Sequence, residues 1–435
     1  MEKIIIGRDR DDIKKYGSKA SVFMGKHIVG EGEEAHLTNP IYMDVNRPHV
    51  ILICGKRGSG KSYSSGVIGE ELLNLSPDLK KNLSGLIIDT MGIYWSMKMP
   101  NTQQSVLLSK WGLKPKGVST NFLVPKPYVE EYKKLGIKFD GSFSLTCSEL
   151  RASDWILAFG FSPIDSHGIA IEKTLNSIRE ETGNLYSIDD IIRSVKHDHD
   201  ISSDVRNALV NRFTIAKEWG VFEKKGMDIN NFFGPGALTI LDVSRFSGVS
   251  SSWSVRNMLV GLLCRKIYQK RLVSKKAEEF GMISYHEKKT IPMIWIMIDE
   301  AHQFLPDEGE TAASSALHTI IKQGREPGIS LILMTQRPNR LHHDALAQSD
   351  LVIAHRLTSE ADLRALRSIM QSYMMEDIQE SINNLPRQKG TAIVLDDNSE
   401  RLYSMQIRPR ISWHAGGSPT VIKKKTFFEE EEFKA

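Results

Sequence analysis

The chain has 435 residues, 40% of them hydrophobic and 25% charged, the balance of a soluble globular protein with room for two or three modules. Its 57 basic and 53 acidic side chains leave a formal charge of only +4, so a nucleic-acid surface would have to be a local patch. Cys54, Cys147 and Cys264 are widely spaced with no CxxC pair, which argues against a disulfide framework or a zinc-cysteine site and for reduced core thiols in the cytoplasm.

The apolar runs Val50–Cys54 and 291–298 are too short to span a bilayer, and the first residues lack the apolar stretch of a signal peptide. Residues 1–45 carry short apolar segments (4–7, 21–25, 27–30, 41–45) divided by glycines, which predicts a small β-rich module. Residues 49–54 predict a buried strand that runs into a Gly-rich loop, and 62–75 the helix after it. A second strand at 84–89 belongs to the same core, 46–104.

Residues 105–235 change character. Lysines crowd 110–138, then helical patterns follow at 169–182 and 204–219, so the segment reads as a mixed, largely helical insertion. Asn-Phe-Phe-Gly-Pro-Gly at 231–236 resets the chain. Within 236–420, strands are predicted at 237–243, 291–299, 330–335, 351–354 and 391–395, with helices at 255–272, 314–323 and 360–371. This alternation predicts an α/β fold with a parallel sheet. Residues 421–435, with KKK and EEEE runs, read as a charged tail.

Gly55-Lys56-Arg57-Gly58-Ser59-Gly60-Lys61-Ser62 matches G-x-x-x-x-G-K-[ST] between a strand and a helix, the context that gives this motif its meaning. Glycines let the backbone approach phosphate, and loop N–H groups face its charge. Gly55, Arg57, Gly58, Ser59, Gly60, Lys61, Ser62 and Tyr63 are therefore the expected ATP contacts. Lys61 is expected on the β- and γ-phosphates and Ser62 on Mg²⁺.

The run Ile294-Trp295-Ile296-Met297-Ile298-Asp299-Glu300 supplies acids at the end of another buried strand. Asp299 is expected to hold the Mg²⁺ shell and Glu300 to deprotonate the attacking water. Gln336 ends the next strand and faces either the γ-phosphate or a plain polar turn. Arg325 follows a helix in Lys-Gln-Gly-Arg-Glu-Pro-Gly. It reads equally as a finger for a neighbour's γ-phosphate or as a cation favoured at a helix C-terminus.

The order GKRGSGKSYSSGVIGEEL, IIDTMG, IMIDEAHQFLP, IIKQGREPGISLILMTQRP resembles the HerA/FtsK group of ring-forming motor ATPases, and HerA most. The similarity spans roughly residues 20–415 and extends to the closing RPRISWHAGG. It implies a RecA-like P-loop core with a small N-terminal barrel-like module and a helical insertion. It also implies a hexameric ring, ATP hydrolysis between subunits and DNA in the pore. By the same resemblance Gln336 becomes the polar sensor and Arg325 the trans arginine finger. A NurA-like nuclease or a phage-defence effector becomes the expected partner. Residues 299–302 spell DEAH, but the second RecA-like domain of that helicase superfamily is not apparent, so His302 reads as a structural or coupling residue.

Two loops are candidate DNA contacts: 90–104, with Tyr94, Trp95 and Lys98, and 244–256, with Arg245, Trp253 and Arg256. Packed surface loops are the competing reading. The basic helix 265–276 reads rather as a solvated face. A regulatory ATPase that assembles an effector without translocating shares every nucleotide-site residue and stays open.

Overall fold

A computed structural model describes residues 2–417 apart from 31–33, 227, 229–231, 248–251, 285–289, 368–381, 383–384 and 387. The expected tail at 421–435 and the end of the 360–371 helix lie outside the described residues.

Fifteen strands are described: β1 (Ile4–Ile6), β2 (Ser21–Val29), β3 (His36–Asp44), β4 (Val50–Cys54), β5 (Leu83–Asp89), β6 (Asn121–Pro125), β7 (Gly141–Phe143), β8 (Leu145–Thr146), β9 (Phe222–Glu223), β10 (Leu238–Asp242), β11 (Met293–Ile298), β12 (Ile329–Thr335), β13 (Leu351–His355), β14 (Thr391–Asp396) and β15 (Arg401–Ile407). Thirteen form one sheet in the order β1-β3-β2-β15-β14-β13-β4-β12-β11-β5-β10-β6-β7. From β13 to β7 every pairing is parallel; from β13 to β3 every pairing is antiparallel. The expected α/β class is what the chain adopts.

The central parallel strands are largely apolar on both faces because both faces are covered. Side chains alternate between faces with period two. Leu52, Leu86, Ile296 and Leu331 therefore join one buried cluster, while Ile51, Ile53, Ile87, Trp295 and Met297 join the other.

The structure redraws two of the expected boundaries. Residues 1–45 supply three strands that continue the central sheet through the β2–β15 pairing. The two apolar pieces 21–25 and 27–30 are one strand, because Gly25 stays extended against Ile407; a Cβ there would meet Gln406 O at 2.0 Å. Residues 121–125 and 141–143, placed by sequence in the insertion, are the parallel strands β6 and β7 of the same sheet, with a short helix at Val129–Lys134 between them. The helical lobe proper begins after them, with helices Ala152–Phe159, Ser166–Thr182, Ile188–His197 and Ser203–Glu218 packed around Trp155 and Phe213.

The predicted helix at 255–272 is twice as long, Ser252–Ser284. Its basic cluster is not a solvated face. Arg265 pairs with Asp154 of the lobe at 2.7 Å. Arg271 is buried and donates to the carbonyls of Pro327 and Ile291 while pairing with Glu278. Lys266 pairs with Glu149. The helix thus binds the lobe to the sheet through charges that a one-dimensional reading scores only as basic.

Candidate nucleotide site

The phosphate loop follows β4 and opens into helix Lys61–Asn74. Gly55, Gly58 and Gly60 have φ of 151°, 76° and 127°, a region that side chains rarely adopt. At Gly55 space adds a second reason: a Cβ would stand 2.6 Å from both His355 Cβ and Ser59 Oγ. The Lys61 ammonium donates to Gly55 O at 2.9 Å and Lys56 O at 3.3 Å, a position from which it can exchange carbonyls for phosphate oxygens.

Sheet order then decides which residues meet. Strand β12 lies between β4 and β11, with Thr335 level with Cys54 and Leu333 level with Ile298. Gln336 therefore emerges between the phosphate loop and the acid pair. Ser62 Oγ stands 3.5 Å from Asp299 Oδ2 across that gap. A hydroxyl and a carboxylate so placed are hard oxygen donors suited to Mg²⁺, which keeps few protein ligands.

Asp299 is buried, and burial raises its pKa. Glu300 adopts a left-handed backbone (φ 49°) as the second residue past β11, which turns its side chain off the strand line. Burial first, and then the Asp299 charge, push its carboxyl up to about 7, while Lys61 and Gln336 oppose the rise. Its Oε2 is buried without a hydrogen bond. His302 stands 3.5 Å from that oxygen, and its Nδ1 lies 2.9 Å from Thr335 Oγ1 at the end of β12. Burial, then the Arg337 charge, lower the imidazole to about 4, so it is neutral. His302 is thus a link between Glu300 and the end of β12.

Arg325 is not gathered into this constellation. It is exposed, beyond the amino end of β12, while Gln336 follows the carboxyl end of the same strand. Seven residues at about 3.3 Å each separate those ends by roughly 23 Å, far beyond an arginine's reach. Tyr63 turns away from the loop: its hydroxyl donates to Gln104 Oε1 at 2.9 Å and accepts from Arg410 N at 2.7 Å. Arg57 is exposed at the loop tip and, with Lys56, Arg337 and Arg340, lines a polar cleft of about 390 Å³ that includes Gln336.

The loop candidates for DNA contact are largely packed. Tyr94 is buried, sharing a hydrogen bond of 2.6 Å with Ser65 Oγ; Trp95 meets Trp413 edge to face; Lys98 pairs with Asp140. Arg245 pairs with Glu131 and Arg256 is buried, while residues 248–251 and the Trp253 side chain lie outside the described residues.

Two supports escaped the sequence reading. His355, at the end of β13, joins Thr391 O (2.9 Å) to Ser64 Oγ (2.8 Å) beneath the loop. Glu70, on the loop's helix, takes Arg408 at 2.9 Å and the Ser412 N–H at 2.9 Å, tying the C-terminal segment to that helix. A polar residue inside an apolar helix face was the available signal for Glu70. For His355 it was a histidine extending an apolar strand.

The strand order, the phosphate loop and the acid pair define a P-loop ATPase with a RecA-like core. A family profile described as "Helicase HerA, central domain" matches residues 22–267, more than half of the chain. The chain belongs to the HerA family. The probable DNA double-strand break repair helicase HerA of Methanocaldococcus jannaschii is 23% identical over 378 residues, 79% of this chain and 69% of that protein. The DNA double-strand break repair helicase HerA of Sulfurisphaera tokodaii is 19% identical over 97% of this chain and 76% of its own length. VirB4 of Thermoanaerobacter pseudethanolicus shares the fold with a TM-score of 0.51 at 12% identity, over 90% of this chain and 97% of that one. Among the described residues no helix is long and apolar enough to cross a membrane.

Proposed function

We propose that this ATPase is a motor that assembles into a hexameric ring in the cytoplasm and moves DNA through its pore with energy from ATP. A NurA-like nuclease or another effector would act on the DNA it delivers, in end processing or phage defence. The observation that carries the catalytic part is the left-handed Glu300, buried beside Asp299 and flanked by Lys61 and Gln336. Its carboxyl is poised near neutrality, where a general base is most effective.

In this reading Lys61 leaves the loop carbonyls for the β- and γ-phosphates, and Gln336 and Glu300 orient the attacking water, whose proton Glu300 takes. Mg²⁺ held by Ser62 and Asp299 supplies charge neutralisation on the phosphates. Arg325 stands about 23 Å from its own sensor residue, so we assign it to the site of the adjoining subunit. That assignment makes the catalytic site an interface site, and a head-to-tail interface whose rotation closes gives a ring.

Rings mixed from Glu300→Gln and Arg325→Ala subunits test this. Each mutant alone should be inactive, and verified mixed rings should regain turnover at interfaces that hold both groups. No recovery in such rings would remove Arg325 from a trans role. The packing of Lys98 and Arg245 favours a second reading, a switch that assembles an effector without gripping DNA. Duplex DNA should stimulate turnover and bind with steep salt dependence if the chain is a motor. ATP turnover indifferent to DNA, with no DNA affinity, selects the switch.

A further inference from the structure

We propose a second site, apart from the phosphate loop: His318, His342 and Asp344 form a binding site for a divalent transition-metal ion of the zinc class. His318 lies midway along helix Ser314–Gln323. His342 precedes helix His343–Ala347, and Asp344 lies in that helix's first turn. One ligand atom from each residue lies within 4.8 Å of the others.

The distances suit a small tetrahedral ion. Asp344 Oδ2 stands 3.4 Å from His318 Nδ1 and 3.9 Å from His342 Nδ1. Ligand atoms about 2.0–2.1 Å from a tetrahedral zinc are about 3.3 Å apart, so the His318–Asp344 pair already fits, the His342–Asp344 pair closes by about half an ångström, and the two histidines, within 4.8 Å, close by at most about 1.5 Å. The two imidazoles meet edge to face at 83°, with centroids 4.3 Å apart, and so approach the shared point from different directions. Two histidines and one carboxylate leave a fourth position for water.

The donors are also chemically ready. His318 Nδ1 is buried and makes no hydrogen bond among the described residues. Cys54, Cys147 and Cys264 are all buried, so the folded chain offers no exposed described thiol to compete for the ion.

Two internal contacts hold the site without metal. Lys322, one turn after His318, donates to Asp344 Oδ2 at 2.7 Å. The Asp344 N–H donates to His342 Nδ1 at 3.2 Å. An incoming ion exchanges both contacts for metal bonds. It then ties the helix that leads to Arg325 to the segment that follows Gln336.

The test is Zn²⁺ titration of the metal-stripped full chain in millimolar Mg²⁺, which fills the Asp299 and Ser62 position. Retained zinc is measured by elemental analysis after gel filtration. Co²⁺ absorption reports the geometry of the site. One equivalent per chain is expected, lost in His318→Ala and in Asp344→Asn, with the fold of each checked by circular dichroism. Lys322 is exposed, so Lys322→Met should fold; it removes the competing cation and should tighten zinc about threefold. The proposal is overturned if wild type retains no zinc, if His318→Ala retains as much as wild type, or if Lys322→Met does not bind more tightly. Loss of the zinc in Asp299→Asn instead would place the ion at the phosphate loop and also overturn it.

Discussion

The chain buries charge in two regions, and it does so in opposite ways. Behind the sheet, along helix Ser252–Ser284 and around Glu70, buried charges are matched: Arg265 with Asp154, Arg271 with Glu278 and two carbonyls, Arg408 with Glu70. At the carboxyl ends of the central strands, Asp89, Asp299 and Glu300 are buried, Lys61 is a near cation of the last two, and burial raises all three pKa values. Asp89 is steadied by four backbone N–H groups, those of residues 91–94, whereas one oxygen of Glu300 has none. Matched charge holds elements together. Unmatched charge stores the imbalance that chemistry can use.

The largest effect that tests this contrast is Arg325→Ala. If the exposed arginine completes a neighbour's site, kcat should fall by about 10³ to 10⁵ with ATP affinity little changed. Steady-state ATPase assays beside nucleotide-binding titrations decide it; a full-rate mutant makes Arg325 a helix-end cation only.

Glu300→Gln should lower turnover by about 10² to 10⁴ and retain ATP binding. Single-turnover measurement separates loss of chemistry from slow product release. Unchanged turnover would remove Glu300 from the role of base.

On the matched side, Asp154→Ala should leave Arg265 buried and unpaired and lower unfolding stability by about 3 kcal/mol. Denaturant titration measures that loss. The rate per folded ring should be unchanged, because the pair belongs to the lobe and not to the phosphate site.

The pH profile sharpens the unmatched side. With its carboxyl at about 7, Glu300 is protonated below that value and cannot accept a proton. The value of kcat/KM should therefore fall about tenfold per pH unit on the acid side. A profile flat down to pH of about 5 would contradict a base titrating near 7.

The smallest effect concerns stability. The folded carboxyl at about 7 stands above its ordinary 4.5, so folding favours the protonated form. That contribution is fully present below 4.5 and is lost as pH rises through 7. Glu300→Gln cannot ionise. It should melt higher than wild type above neutrality, by on the order of 2 kcal/mol, and equally in mild acid.

Much of the site was legible because its signals are local. A phosphate loop needs its glycines and lysine consecutive in the chain, and an acid pair announces itself by ending an apolar strand. Lys61, Ser62, Asp299, Glu300 and Gln336 are found that way, and sheet order brings them to one edge. Tyr63 was assigned by its position next to Ser62, yet its hydroxyl serves the C-terminal segment, because a helical side chain's direction depends on what packs against it. The basic helix misled for a similar reason: the partners of Arg265 and Arg271 lie on other elements, and composition records charge without its mate.

By itself the sequence determined the class of fold and the chemistry of the loop, since strand periodicity and the G-x-x-x-x-G-K-[ST] spacing are properties of neighbouring residues. Tertiary structure alone decided that the strands of residues 1–45 extend the central sheet and that β6 and β7 belong to it, since pairing register joins segments more than a hundred residues apart, β15 with β2 and β10 with β6. It also decided that Arg325 and Gln336 stand at opposite ends of one strand. A sequence lists those two residues eleven places apart, and only an extended backbone turns that interval into a distance too long for one subunit to close.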